Sequence, residues 1–109
     1  MLNGKLVFRD GMESFFRGKA EEKGVPFVCP DLNLIHVFMK GLETEKLEVC
    51  ALLPVWLARP WWPKVVAASR EVLWEGRANH AFYPTASQRD AFDVWLMRLF
   101  FLDGSLLYL

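Results

Sequence analysis

The segment from residue 54 to residue 63, PVWLARPWWP, holds three prolines and three tryptophans and follows the apolar run VCALL. Tryptophan rings stack on nucleobases, and tryptophan and arginine are both enriched at the centres of protein–protein interfaces. The segment could therefore form a binding platform, line a catalytic pocket, or only pack a sharp bend. The candidate contact residues are Trp56, Arg59, Trp61, Trp62, Lys64 and, further along the chain, Arg77.

Other residues that could do chemistry do not combine into a familiar site. His36 and His80 have no Asp, Glu or Cys at the spacing of a zinc site, and the serines lack the strand–turn–helix context of a hydrolase nucleophile. Cys29 and Cys50 each lie in an apolar run, which is typical of buried thiols in a reducing compartment. The sequence therefore predicts no metal site, no hydrolase and an intracellular location.

The composition restricts the classes of protein to which the chain can belong. Its 109 residues, 1–109, are expected to form a single domain. The hydrophobic share is 53% and the aromatic share 15%, so part of the apolar surface is expected to face a protein partner. Basic and acidic residues number 13 each, so no global positive field would recruit nucleic acid. Neither a signal peptide nor a run of about 18 uncharged apolar residues is visible, so no membrane span is predicted.

The hydrophobic pattern predicts alternating strands and helices. Strands are predicted at 5–9, 25–29, 47–55, 70–76 and 92–101, with a helix after each of the first three and a short helix as the alternative at the start of the last. Asp10 and Asp31 are the predicted N-caps of the first two helices, and Pro60 or Pro63 begins the third. Residues 79–90 are predicted to form a loop or hairpin connection. The order favours a three-layer α/β fold with right-handed crossovers and an antiparallel last strand.

The order of these segments resembles the phage-type DNA N6-adenine methyltransferase (Dam-like) domain, in the version found in DIRS-like retrotransposon polyproteins. The resemblance covers about residues 10–103, and Gly76 and Arg77 match the later Gly-Arg turn of that family. Its most specific positions are Leu53, Pro54, Trp56, Pro60, Trp61, Trp62 and Pro63. The fold that it implies is a Rossmann-like partial sheet like the C-terminal half of a class I methyltransferase, with ligands at the carboxyl ends of the strands.

The chain departs from this family at the positions that would do the chemistry. The catalytic loop, (D/N)PP(Y/F) in the family, reads Cys29, Pro30, Asp31 and Leu32 here. Cysteine accepts a hydrogen bond from an adenine amino group poorly, and leucine cannot stack on a flipped base as an aromatic side chain does. No glycine loop for S-adenosylmethionine follows a predicted strand. The resemblance thus implies a truncated, degenerate domain without a cofactor.

Three functions follow from these observations. The first is a non-catalytic methyltransferase-like remnant that serves as an interaction or structural subunit of a larger assembly. Its contacts would come from the Trp–Pro bend, an exposed sheet edge, Phe100, Phe101 and the C-terminal LLYL. The second is an S-adenosylmethionine-dependent DNA adenine methyltransferase, or a fragment of one that needs a partner chain. The third is a nucleic-acid-binding module using an arginine/tryptophan patch. That patch would comprise Arg59, Lys64, Arg70, Arg77, Arg89, Trp56, Trp61, Trp62 and Trp74.

Overall fold

A computed structural model of the chain describes residues 6–107. Lys5 of the first predicted strand and the last two residues of LLYL lie outside that range. The strands are β1 (Val7–Phe8), β2 (Phe27–Val28), β3 (Glu48–Pro54), β4 (Ser69–Arg77), β5 (Phe82–Tyr83) and β6 (Leu96–Asp103). The helices are α1 (Met12–Glu22), α2 (Ile35–Glu45), α3 (Trp62–Ala68), α4 (Ala78–Ala81) and α5 (Arg89–Phe92), with 3-10 turns at Leu32–Leu34 and Gly104–Leu107.

Four strands form the main sheet, in the order β2-β3-β6-β4. Strand β2 pairs parallel with β3, whereas β6 pairs antiparallel with both β3 and β4. The predicted α/β class and the antiparallel last strand are therefore confirmed. The sequence alone did not show that this last strand enters the sheet between β3 and β4.

Both faces of the main sheet are covered by helices. In β3, Val49, Ala51 and Leu53 belong to a hydrophobic cluster that includes residues of α2 and α3. Cys50 and Leu52 alternate with them and belong to a second cluster, to which α1, α4, β5 and α5 contribute. A strand buried on both faces is expected to be apolar at nearly every position, and β3 is buried from its second residue onward.

The segment predicted as a loop or hairpin connection contains regular structure instead. Helix α4 and strand β5 occupy residues 78–83, and β5 pairs antiparallel with β1, outside the main sheet. Ala78, Ala81 and Phe82 are each 0% exposed. A four-residue helix and a two-residue strand are too short to show a hydrophobic period, so the sequence pattern did not reveal them.

One of the two predicted N-caps is wrong and the other is confirmed. Gly11 holds the N-cap position of α1, with φ of 82°, so Asp10 lies before the helix instead of capping it. Glycine reaches this left-handed conformation without the strain that a Cβ would add. The backbone N–H of Asn33 donates to Oδ1 of Asp31 at 2.9 Å, which caps the turn leading into α2. Pro63 lies in the first turn of α3, as expected for proline.

One edge of the main sheet is long and exposed, as predicted, but the strand at that edge is β4 and not β2. Strand β2, on the side where a cofactor-binding half would continue the sheet, has only two residues. The other edge strand, β4, has nine residues, but its register with β6 shifts between Ser69 and Glu71 and between Val72 and Trp74. Bulges and charged side chains reduce the ability of an edge strand to pair with another chain. No helix among residues 6–107 is long and apolar enough to cross a membrane.

Candidate functional site

Four segments of the chain meet at one end of the main sheet. Strands β2 and β3 are parallel, so the loops that follow them leave the sheet at the same end. Strand β6 is antiparallel and begins there, and Arg77 at the end of β4 pairs with Leu96 at the start of β6. We call this end the carboxyl edge and define it as residues 29–36, 55–61 and 93–95 together with Arg77.

Two tryptophans from different parts of the chain are in contact at the carboxyl edge. The ring centroids of Trp56 and Trp95 are 5.3 Å apart, with an interplanar angle of 80°. Trp56 packs against the cluster under α2 and α3, whereas Trp95 packs against the cluster on the opposite face. The backbone N–H of Val55 donates to the carbonyl of Leu96 at 2.8 Å, which aligns the two segments. The aromatic pair therefore closes the end of the sheet.

Arg59 lies over the Trp56 ring, with its guanidinium carbon 5.0 Å from the ring centroid. The turn between the two residues is closed by the backbone N–H of Arg59, which donates to the carbonyl of Trp56 at 3.1 Å. Arg77 lies at the end of β4, beside the start of β6, and its Nη1 donates to the carbonyl of Val94 at 3.2 Å. Within residues 6–107 neither guanidinium has a carboxylate at ion-pair distance.

Two open clefts flank the stacked Trp56 and Arg59 side chains. The larger, of about 390 Å³, is lined by Trp56, Leu57, Ala58, Arg59 and Trp95. The smaller, of about 220 Å³, is lined by Leu32, Asn33, His36, Trp56, Arg59, Pro60 and Trp61. Leu57 and Val94 are 71% and 70% exposed, more than any other large hydrophobic side chain in the described part of the chain. The carboxyl edge thus combines solvent-exposed apolar side chains with the guanidinium groups of Arg59 and Arg77, and it also contains the exposed carboxylates of Asp31 and Asp93.

The other two tryptophans of the PVWLARPWWP segment pack the bend. Trp61 is 8% exposed, and its ring centroid lies 6.3 Å from that of Trp56 and 6.2 Å from that of Trp62. Trp62 is half-buried, with its ring 6.0 Å from that of Phe100 on β6. Both residues therefore contribute to the core, whereas Leu57 to Pro60 are exposed and Trp56 is half-buried.

The basic residues predicted to form one patch are separated in the structure. Lys64 forms an ion pair with Glu43 at 2.8 Å, which joins α3 to α2. Arg70, at the opposite end of β4 from Arg77, pairs with Asp103 and lies 3.8 Å from Glu48. Trp74 packs edge to face on Phe16, with centroids 5.0 Å apart. Arg89 lies on α5. Of these basic residues, Arg59 and Arg77 lie at the carboxyl edge.

The four residues at the position of the family's catalytic loop are engaged in structural contacts. Burial raises the pKa of the Cys29 thiol to about 12, with a smaller effect from the negative charge of Glu13. Asp31 accepts the capping hydrogen bond described above, and Leu32 packs against the cluster under α2 and α3. Pro30 lies between them in the loop. No group of three metal-binding side chains is found in residues 6–107.

Trp95 and Leu57 are parts of the carboxyl edge that the sequence reasoning missed. Trp95 directly precedes β6, and its place beside Trp56 depends on β6 pairing with β3. The signal for Trp95 in the sequence was an aromatic residue near the start of the predicted antiparallel last strand. The hydrophobic pattern did not indicate which strand β6 would pair with. Gly76 and Arg77, which match a Gly-Arg turn in the resemblance, are the last two residues of β4.

Comparison with models of protein families, with curated proteins and with solved structures finds no match for this chain. The carboxyl edge is therefore interpreted from its own geometry.

Proposed function

We propose that the chain is a non-catalytic, methyltransferase-like α/β domain that acts as a protein-interaction subunit of a larger assembly. The carboxyl edge is its contact surface. The observation that carries the proposal is the stacked Trp56–Arg59 pair beside the exposed side chain of Leu57. Tryptophan and arginine dominate the binding energy of protein interfaces, where they are surrounded by apolar contacts that exclude water.

The sheet supports the methyltransferase-like part of the proposal. The PVWLARPWWP bend, which carries the most specific part of the resemblance, follows β3, and the altered loop Cys29–Leu32 follows the parallel strand β2. Both lie at the carboxyl edge, where the resemblance implies that ligands bind. The last strand, β6, is antiparallel to its neighbours, as expected for the C-terminal half of such a sheet.

The contacts of the altered loop support a non-catalytic role. A thiol with a pKa of about 12 remains protonated at neutral pH, so Cys29 is neither a nucleophile nor a strong hydrogen-bond acceptor there. The Asp31 carboxylate already accepts a backbone hydrogen bond from Asn33. Leu32 lines the smaller cleft in place of the aromatic side chain that would stack on a base.

A nucleic-acid-binding role has less support from the charges. Lys64 and Arg70 are paired with carboxylates, which leaves two unpaired guanidinium groups at the carboxyl edge. Neutralising two phosphates of a single strand corresponds to a slope of only about −1.4 in log K against log salt. The exposed Leu57 and Val94 do not contribute to phosphate binding. A protein partner accounts for the apolar and the charged side chains together.

Site-specific photocrosslinking tests the proposed contact surface. The photoreactive residue p-benzoylphenylalanine would replace Leu57 in the full chain, with Val66 on α3 as the matched control because it is also well exposed, at 58%. We expect position 57 to give one discrete protein adduct in cells, identified by mass spectrometry, and position 66 to give much less of it. Equal labelling from both positions would contradict the proposal.

Calorimetric titration with S-adenosylmethionine tests the non-catalytic part. We expect no binding heat with the protein alone. Micromolar affinity for the cofactor would reject this part of the proposal and favour the methyltransferase alternative, in which Asp31 or a partner chain supplies the missing groups.

A further inference from the structure

We propose that the carboxyl edge binds an extended acidic segment of the partner protein, in which an apolar residue lies two positions from a carboxylate. The apolar side chain enters the larger cleft between Trp56 and Trp95, and the carboxylate binds Arg59. This inference rests on the proposed function, because it specifies the chemistry of the partner at the same surface.

The Arg59 guanidinium is prepared for a carboxylate. Other arginines of the described chain form ion pairs with a carboxylate, as Arg17 does with Glu13 and Arg98 does with Glu75. Arg59 instead lies over Trp56, and no acidic side chain among residues 6–107 comes within ion-pair distance of it. The Arg59 guanidinium carbon lies 5.0 Å from the ring centroid, and a planar guanidinium can bind a carboxylate with two hydrogen bonds.

The larger cleft accepts an apolar side chain beside that charge. Four of its five lining residues, Trp56, Leu57, Ala58 and Trp95, present apolar atoms, and the fifth is Arg59. The cleft, of about 390 Å³, is open to solvent, so a partner side chain can enter it from outside. Filling this cleft would bury Leu57, which is 71% exposed in the free chain.

The spacing of these groups fits an extended peptide. The Arg59 guanidinium carbon lies 5.0 Å from the Trp56 centroid, which lies 5.3 Å from the Trp95 centroid. In an extended chain, side chains two residues apart point to the same side and are separated by about 6.6 Å. The expected pattern is therefore an acidic residue two positions from an apolar one, acidic–x–apolar or its reverse.

A random linear 12-residue peptide library displayed on phage provides the first test. We expect selection on the purified full chain to enrich peptides in which Asp or Glu lies two residues from Leu, Ile, Phe or Trp. The selected sequence, made as a fluorescent synthetic peptide, is then measured by anisotropy. Replacing the acidic residue at that spacing by Gln should weaken binding about tenfold or more, because charge-assisted hydrogen bonds are lost.

Variants of the protein test where on its surface the selected peptide binds. Arg59→Gln should weaken binding about tenfold, whereas Arg17→Gln, which removes the same charge from α1, should leave it unchanged. Leu57→Ser should weaken binding about fivefold, with Val66→Ser as its control. All four side chains are well exposed, so the variants are expected to fold, which circular dichroism checks.

The outcomes distinguish this inference from the proposed function. Selected peptides that are apolar without acidic residues, and that bind Arg59→Gln normally but Leu57→Ser weakly, would overturn the acidic segment and leave the surface in place. Peptides that bind both variants as well as wild type would count against the carboxyl edge itself. Tighter binding of a 12-nucleotide oligo(dT) than of the best peptide, abolished by Arg59→Gln, would replace both with a nucleic-acid-binding role.

Discussion

The indole rings of Trp56 and Trp95 meet edge to face, with centroids 5.3 Å apart, where β3 ends and β6 begins. Each ring packs against a different hydrophobic cluster, so the pair connects the two layers of core that the sheet otherwise separates. Both tryptophans also line the larger cleft. The two side chains that join the core layers are therefore also part of the surface proposed to bind a partner.

A double-mutant cycle tests the energetic contribution of this pair. We expect Trp56→Leu and Trp95→Leu to show a coupling free energy of about 1 kcal/mol in urea unfolding, because edge-to-face aromatic pairs contribute about 0.5–1.5 kcal/mol beyond their buried area. Trp62 and Trp95 share no ring contact in the described structure, so the control cycle should be additive to within about 0.5 kcal/mol. Equal coupling in both cycles would argue against the direct contact.

Gly104 tolerates no side chain. A Cβ at this position would lie 1.9 Å from the carbonyl oxygen of Leu42 at the end of α2, and the Gly104 N–H donates to the carbonyl of Leu47 at 2.7 Å. Since the clash is with backbone, we expect Gly104→Ala to lower the free energy of unfolding by about 3 kcal/mol.

The control is Gly18→Ala within α1, where a Cβ would meet nothing within 4 Å. Alanine should stabilise this helix by about 0.5–1 kcal/mol. Chemical denaturation of both variants measures the difference, and similar midpoints for the two would contradict the described packing around Gly104.

The Asp103 carboxylate should make stability depend on acidic pH. Its pKa is lowered below the usual value, first by the Ser105 hydroxyl, which donates to Oδ1 at 2.7 Å, and also by Arg70. A lowered folded-state pKa contributes stability above the unfolded pKa of about 3.9, and this stability is lost as the pH falls through the folded pKa.

We expect Asp103→Asn to lower the free energy of unfolding by about 2 kcal/mol at pH 7, since charge-assisted hydrogen bonds to a buried group are lost. The difference from wild type should shrink as the pH falls below about 4. Glu13→Gln, which removes an exposed ion pair with Arg17, should cost less than about 0.5 kcal/mol at either pH. A difference for Asp103→Asn that stays constant down to pH 2 would contradict the assignment.

The two cysteines should react slowly in the folded protein. Burial raises the pKa of Cys29 to about 12 and that of Cys50 to about 11, although Lys23 opposes the shift at Cys50. Because the thiolate is the nucleophile, alkylation by iodoacetamide at pH 8 should be at least tenfold slower than in denaturant. Mass spectrometry of the labelled protein measures both rates. Fast native labelling of Cys29 would indicate an activated thiol in the loop and reopen a catalytic interpretation.

The local sequence was sufficient to predict a strand or a cap when the residues of that element alone showed its pattern. The near-continuous apolar run from Val49 to Leu53 predicted β3, because a strand covered on both faces is apolar at successive positions. The preference of Asp for N-cap positions predicts Asp31 as a cap, and the cap is a local interaction because its side chain bonds a backbone N–H only two residues away. By contrast, Gly11 took the position expected for Asp10, since the left-handed backbone at that point favours glycine.

The sequence by itself determined the α/β class, the buried strand β3 and the aromatic bend that follows it. Only the tertiary structure decided which candidate residues reach the carboxyl edge. It placed β6 beside β3, which brought Trp95 against Trp56, and it paired Lys64 with Glu43 away from that edge. Strand pairing and ion pairs between residues far apart in the chain leave no periodic signal in the sequence, because they depend on how complete elements pack together.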